Sequence, residues 1–136
     1  MATAQIFNSF KEAINEKVHN LATDTLKFML TNTAPSLANT IKTDITEIAA
    51  VNGYTAGGAA VTVSSSAQSG GTYSLVLAAC TFTAAGGDIG PFRYVVLYND
   101  TAASDPLIGY VDYGTAYTLP NGQPFTLTAG TFFSLA

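Results

Sequence analysis

Forty consecutive residues, from Ile48 to Gly87, carry no charged side chain. The stretch is built from Ala, Val, Thr, Ser, Gly and Tyr, and it reads as the body of a β-rich domain that makes contacts. An enzyme domain of similar size scatters charges over its surface and gathers a few in a site. Here only 10% of all residues are charged, so the composition argues against that arrangement.

At 136 residues the chain is long enough for one domain, read as a helical segment over 1–22 and a β-rich body over 23–136. A domain of this size buries enough surface to fold without disulfide or metal. The single cysteine, Cys80, follows the apolar run Leu75–Ala79 with no basic neighbour, which is the setting of a buried small hydrophobe and not of an activated thiol. Net charge is −4, and four of the five basic residues (Lys11, Lys17, Lys27, Lys42) lie in the first third. Without a basic stripe no nucleic-acid partner is expected. The N-terminal residues do not read as a secretion signal, and no apolar run approaches the ~18 residues of a membrane span. A soluble protein made in a cytoplasm, with no membrane partner, is the expectation. A surface this poor in charge suits a protein covered by partners.

Phe7, Phe10, Ile14, Val18 and Leu21 recur at helical spacing, which predicts an amphipathic helix over 10–20 with Ser9 and Glu12 as its capping box. Thr25–Thr31 alternates and predicts a half-buried strand. Residues 32–43 read as a loop. A second short helix over 45–51 is expected, capped by Asp44 with Glu47 and ended by Asn52-Gly53. Strands follow near 59–65, 72–83, 91–99, 106–113, 116–119, 124–128 and 131–135. The Asn121-Gly122 pair predicts a hairpin between the strands on either side of it. Phe92 to Asn99 is apolar on both faces and should be a central strand. The fold class is mainly β, an antiparallel sandwich or barrel of jelly-roll type with an N-terminal helix.

Few residues point to chemistry. The single histidine, His19, sits where a helix end would favour a positive charge or solvent. The pairs Gly57-Gly58, Gly70-Gly71 and Gly86-Gly87 match no phosphate-binding fingerprint and read as turns. Asp88, Asp100, Asp105 and Asp112 lack the spacing of a calcium loop. No catalytic residue, cofactor-binding residue or metal ligand is therefore expected. Arg93, the only arginine, lies within a strand on a face shared with Val95 and Leu97. It should be partly buried and paired, with Asp112 as partner, in a bidentate contact that fixes register. Tyr94, Tyr98, Tyr110, Tyr113 and Tyr117 cluster in the second half, where a row of tyrosines either packs the core or binds sugar.

Four blocks then stand out: residues 20–35 (NLATDTLKFMLTNTAP), 43–58 (TDITEIAAVNGYTAGG), 82–101 (FTAAGGDIGPFRYVVLYNDT) and 106–114 (PLIGYVDYG). In this order they resemble a family of small virion proteins of tailed bacteriophages. The resemblance implies a non-enzymatic head decoration or cement protein on the capsid surface, with the major capsid protein as partner. It also implies self-association as a homodimer or homotrimer. On that reading Phe7, Phe10 and Ile14 of the helix, with Tyr54, Thr55 and Tyr73 near the 54–72 segment, are candidate contact residues. A tail- or fibre-associated virion protein and a carbohydrate-binding β-sandwich module are the alternatives.

Overall fold

The computed structural model describes residues 4–136. Ten strands and one helix follow in the order β1 (Gln5–Ile6), α1 (Asn8–Asn15), β2 (Leu26–Thr31), β3 (Ala59–Val61), β4 (Val63–Ser69), β5 (Thr72–Leu77), β6 (Cys80–Thr83), β7 (Ile89–Asn99), β8 (Leu107–Leu119), β9 (Pro124–Leu127) and β10 (Gly130–Leu135). They form an antiparallel five-stranded sheet β1-β8-β7-β2-β3, a three-stranded sheet β10-β5-β4 and the pair β6-β9. The fold is mainly β, with a sandwich-like arrangement of antiparallel sheets and one helix.

The main core lies between the large sheet and the other two. Leu26, Phe28, Leu30, Val95, Leu97, Ile108 and Val111 meet Leu75, Leu77, Cys80, Phe82, Leu127, Phe132 and Phe133 there. Each large apolar side chain removed from water in this way contributes on the order of 1.5–3 kcal/mol. The opposite face of the large sheet is also covered. Met29, Val96, Tyr98 and Leu107 pack with Phe7 and Ile45 into a second, smaller core. β2 is consequently buried on both faces, and Met29 and Thr31 do not face solvent as simple alternation predicts. β7 is central, as its two apolar faces predict.

The strand expected over 72–83 divides into β5 and β6, and those expected over 106–113 and 116–119 are one strand, β8. Four further local expectations need correction. Helix α1 is shorter than predicted and ends at Asn15. Lys17 adopts a left-handed φ of 64° and the Val18 amide turns back to the Ala13 carbonyl at 3.0 Å, so Val18 falls outside the helix and is exposed. The Ser9–Glu12 capping box is absent: Phe7 occupies the N-cap without a side-chain bond, and the Asn8 amide is satisfied by the Leu37 carbonyl at 3.0 Å. The second helix is only a 3-10 turn, Lys42–Asp44. The Asp44 carboxylate caps it by accepting from the Thr40 and Ile41 amides at 2.9 and 3.2 Å, which holds its carboxyl below the usual carboxylate range. Lastly, Asn121-Gly122 is a turn but not a hairpin. β8 pairs with β7, whereas β9 pairs with β6. The Gly122 amide bonds Ala84 O at 2.8 Å, so the turn hands the chain from one layer to the other.

Candidate contact surface

Three buried or half-buried polar networks anchor the surface loops. The first pins the long connection between β2 and β3. Glu47 Oε2 accepts from the Tyr54 hydroxyl at 2.5 Å and from the Gly57 amide at 2.7 Å, while the Tyr98 hydroxyl donates to Gly57 O at 2.5 Å. Tyr54 also accepts from the Leu30 amide of β2 at 3.0 Å, and Thr31 Oγ1 donates to the Thr46 carbonyl. Burial, then the bond to Glu47, pushes the Tyr54 hydroxyl pKa strongly up. Both tyrosines stay neutral donors, and the loop is held along β2, where the Ile48 amide also bonds the Leu30 carbonyl at 3.1 Å. No periodicity in the sequence marks this network, because it is completed only by Leu30 of β2 and Tyr98 of β7, which are distant along the chain.

The second network corrects the solvent or capping role expected for His19, which is only 8% exposed. Asn99 Oδ1 accepts from the Thr101 and Ala102 amides at 2.9 and 3.1 Å, and this fixes the side-chain amide so that Nδ2 donates to Asp24 Oδ2 at 2.7 Å and faces His19 Nδ1 at 3.0 Å. Nδ1 must accept, so the proton sits on Nε2. Burial lowers the His19 pKa and Asp24 opposes that shift. A lowered value means the unfolded chain takes up the proton first. The stabilisation is complete above the ordinary imidazole pKa of about 6.5 and is lost as pH falls through and below it. Melting temperature should therefore drop on acidification below neutral. Because His19 is the single histidine, its ring proton resonances in a pH titration report the lowered value directly; an unshifted midpoint would contradict the buried latch.

The third network is the ion pair. The structure brings Arg93 and Asp112 together in two bonds, Nε to Oδ1 at 2.8 Å and Nη2 to Oδ2 at 3.1 Å. It does not bury them, since the side chains are 39% and 38% exposed. The cause is a register irregularity. Register slips between Phe92 and Tyr94, where β7 advances two residues while β8 advances from Tyr117 to Asp112. Phe92 thereby joins Val95 in the core, and Arg93 is left at the rim with its guanidinium over the Tyr94 ring. Arg93 and the Gly114 amide hold the Asp112 carboxyl below the usual range.

Two further acids are also engaged locally. Asp100 pairs with Lys27 at 3.2 Å, and Asp88 accepts from the Asn121 amide at 2.8 Å. Among the described residues no three His, Cys, Asp or Glu side chains gather to hold a metal ion, and no helix is long and apolar enough to cross a membrane. Cys80 is buried, and burial pushes its thiol pKa up.

Half of the candidate contact residues are not on the surface. Phe7, Phe10 and Tyr54 are core residues at 0%, 2% and 2% exposure. The helical stripe that suggests a docking face instead seals one end of the sandwich, with Phe10 against Phe133 at 5.4 Å. Ile14 and Tyr73 are half-buried, and Thr55 is exposed. The tyrosines do not form one row. Tyr98 is fully buried, while Tyr94 and Tyr110 meet on one face at 6.1 Å. Tyr113 and Tyr117 flank Phe92 and Phe125 around a cleft of about 280 Å³, where Tyr117 is 44% exposed. What faces solvent most broadly is the uncharged segment itself: Thr55, Ala56, Ala60, Thr62, Ser64, Ser65, then Ala67 to Gly71, and beyond them Thr81, Thr83 and Ala85. No protein-family model, no curated protein and no solved structure matches this chain.

Proposed function

We propose that the protein is a non-enzymatic structural component of a tailed-phage virion, a decoration protein that binds the outer capsid surface and bridges capsid subunits. The observation that carries this reading is the wide exposed surface of Ser, Thr, Ala and Gly between residues 55 and 85. Such a surface can be covered without desolvating a charge, so weak contacts by many copies add up on a lattice. The rigid loop anchoring around Glu47 and Tyr98 suits a part that must present a fixed shape. Its partners on this reading are the major capsid protein and other copies of itself.

The test is quantitative mass spectrometry of purified particles. A ratio to the major capsid protein near one, or a simple fraction of it, is the expected result. A ratio of a few per cent would move the protein to the tail or a vertex, and absence from particles would overturn the virion reading. The aromatic cleft beside Tyr117 favours a second reading, a carbohydrate-binding module, because exposed rings stack on sugar faces. Glycan-array binding that Tyr117→Ala abolishes would support it over the first.

A further inference from the structure

We infer that the outer edge of β4 is where two copies of this chain join, strand to antiparallel strand, about a twofold axis. Among the described residues β4 is the last strand of its sheet and pairs only with β5. The two strands meet in a two-residue turn, Gly70-Gly71, with φ of 59° and 88°. Such a turn makes the flanking pair Ser69 and Thr72 a hydrogen-bonded one, and bonding then alternates along the ladder. Ser69, Ala67 and Ser65 thus bond β5. The amides and carbonyls of Ser66 and Gln68 point the other way, and among the described residues none of these four groups has a hydrogen-bond partner.

Natural proteins blunt open edges with lysine, proline, bulges or cover. β4 reads Val-Ser-Ser-Ser-Ala-Gln-Ser, without charge or proline, and its only irregularity is at its start, between Val63 and Ser65. Little else holds the strand. Val63 alone packs against the core, and Ser66 Oγ meets the Tyr73 hydroxyl at 2.7 Å. The other open edges differ. β8 is broken by the slip around Gly114, β10 by a slip between Thr131 and Phe133, and β3, β6 and β9 are three or four residues long.

A second copy fits this edge for three reasons. An axis through Ala67 sets Ser66 opposite Gln68 in both directions, so all four outward groups of each copy are satisfied. The chains come closest on that axis, at the smallest side chain of the set. No like charges meet, because residues 48–87 carry none. The contact runs along about 24 Å of strand, which is small for a stable interface. The dimer is therefore weak in solution and is strengthened wherever copies are held side by side. The inference does not depend on the capsid reading.

Sedimentation velocity of the full chain from micromolar to millimolar concentration tests it. The expected result is a monomer–dimer equilibrium. Gln68→Pro removes an outward amide without touching the β5 ladder, and Gln68→Lys places a charge on each copy at an exposed position. Each also removes the exposed bond from the Gly71 amide to Gln68 Oε1 at 3.2 Å, and should weaken the dimer roughly tenfold or more with only a small fall in melting temperature. Should the proline variant fold poorly, the lysine variant carries the result. A monomer at every concentration, a trimer, or a dimer that Gln68→Lys leaves intact would overturn the inference.

Discussion

Replacing Gly58 with alanine is expected to lower stability by roughly 2–5 kcal/mol, although it adds a single methyl group. Gly58 adopts φ +81°, and a Cβ there would stand 1.8 Å from the Phe28 carbonyl oxygen and 2.9 Å from the Met29 Cα. Both are backbone atoms of β2, which sits between β3 and β7. Relief requires moving the 55–58 turn off the sheet, and that breaks the Glu47–Gly57 and Tyr98–Gly57 bonds together. Gly70→Ala is the control. Its φ is +59° but nothing lies within 4 Å, so only the left-handed penalty of about 1–2 kcal/mol applies. Thermal unfolding of the two variants should differ by several degrees, at about 4 °C per kcal/mol for a chain of this size. Equal melting temperatures would refute the close packing of the loop on β2.

Asn99→Ala should lower stability by about 3 kcal/mol, more than its modest size suggests. Asn99 is fully buried and serves four groups at once: two backbone amides of the 99–105 turn, the Asp24 carboxylate and His19. Truncation leaves those amides unpaired and strips the imidazole of its one partner, since His19 Nε2 already has none. Asn99→Asp separates the roles. It keeps the acceptor for the turn but sets a carboxylate against Asp24 and beside Nδ1. The variant should therefore move the His19 pKa upward, opposite to the wild-type shift, which a proton titration reads directly. A His19 midpoint unchanged in both variants would mean that Asn99 does not hold the ring.

Patterns of local origin were legible in the sequence. The double-sided apolar run of β7 and the Gly70-Gly71 turn produced elements where expected, whereas the strand read over 72–83 divides at Ala78-Ala79 into β5 and β6, which lie in different sheets. The Arg93–Asp112 pair was legible because a lone arginine inside a strand needs a carboxylate within reach. Its exposure was not, since the register slip that lifts Arg93 to the rim depends on how β7 and β8 align. The helix at 45–51 failed for a similar reason. Its capping signals are real in that Asp44 does cap a turn, but Ile45 packs with Tyr98 of β7 and Glu47 is held by Tyr54 and Gly57 of the same loop. Phe7 and Phe10 form an apolar stripe whether it faces a partner or the chain's own core, and periodicity alone cannot tell the two apart.

The order of strands also constrains how the molecule comes into being. β5 lies between β4, its immediate neighbour in sequence, and β10, which begins more than fifty residues later. During synthesis the hairpin of β4 and β5 can form early, but Leu75 and Leu77 remain without Phe132 and Phe133 until residues 130–135 have been made. Closure of so long a loop is slow. The nascent chain must therefore carry a sticky, half-built layer while β6 to β10 are made, and the rate at which the last strand docks sets how many chains reach the native state instead of aggregating.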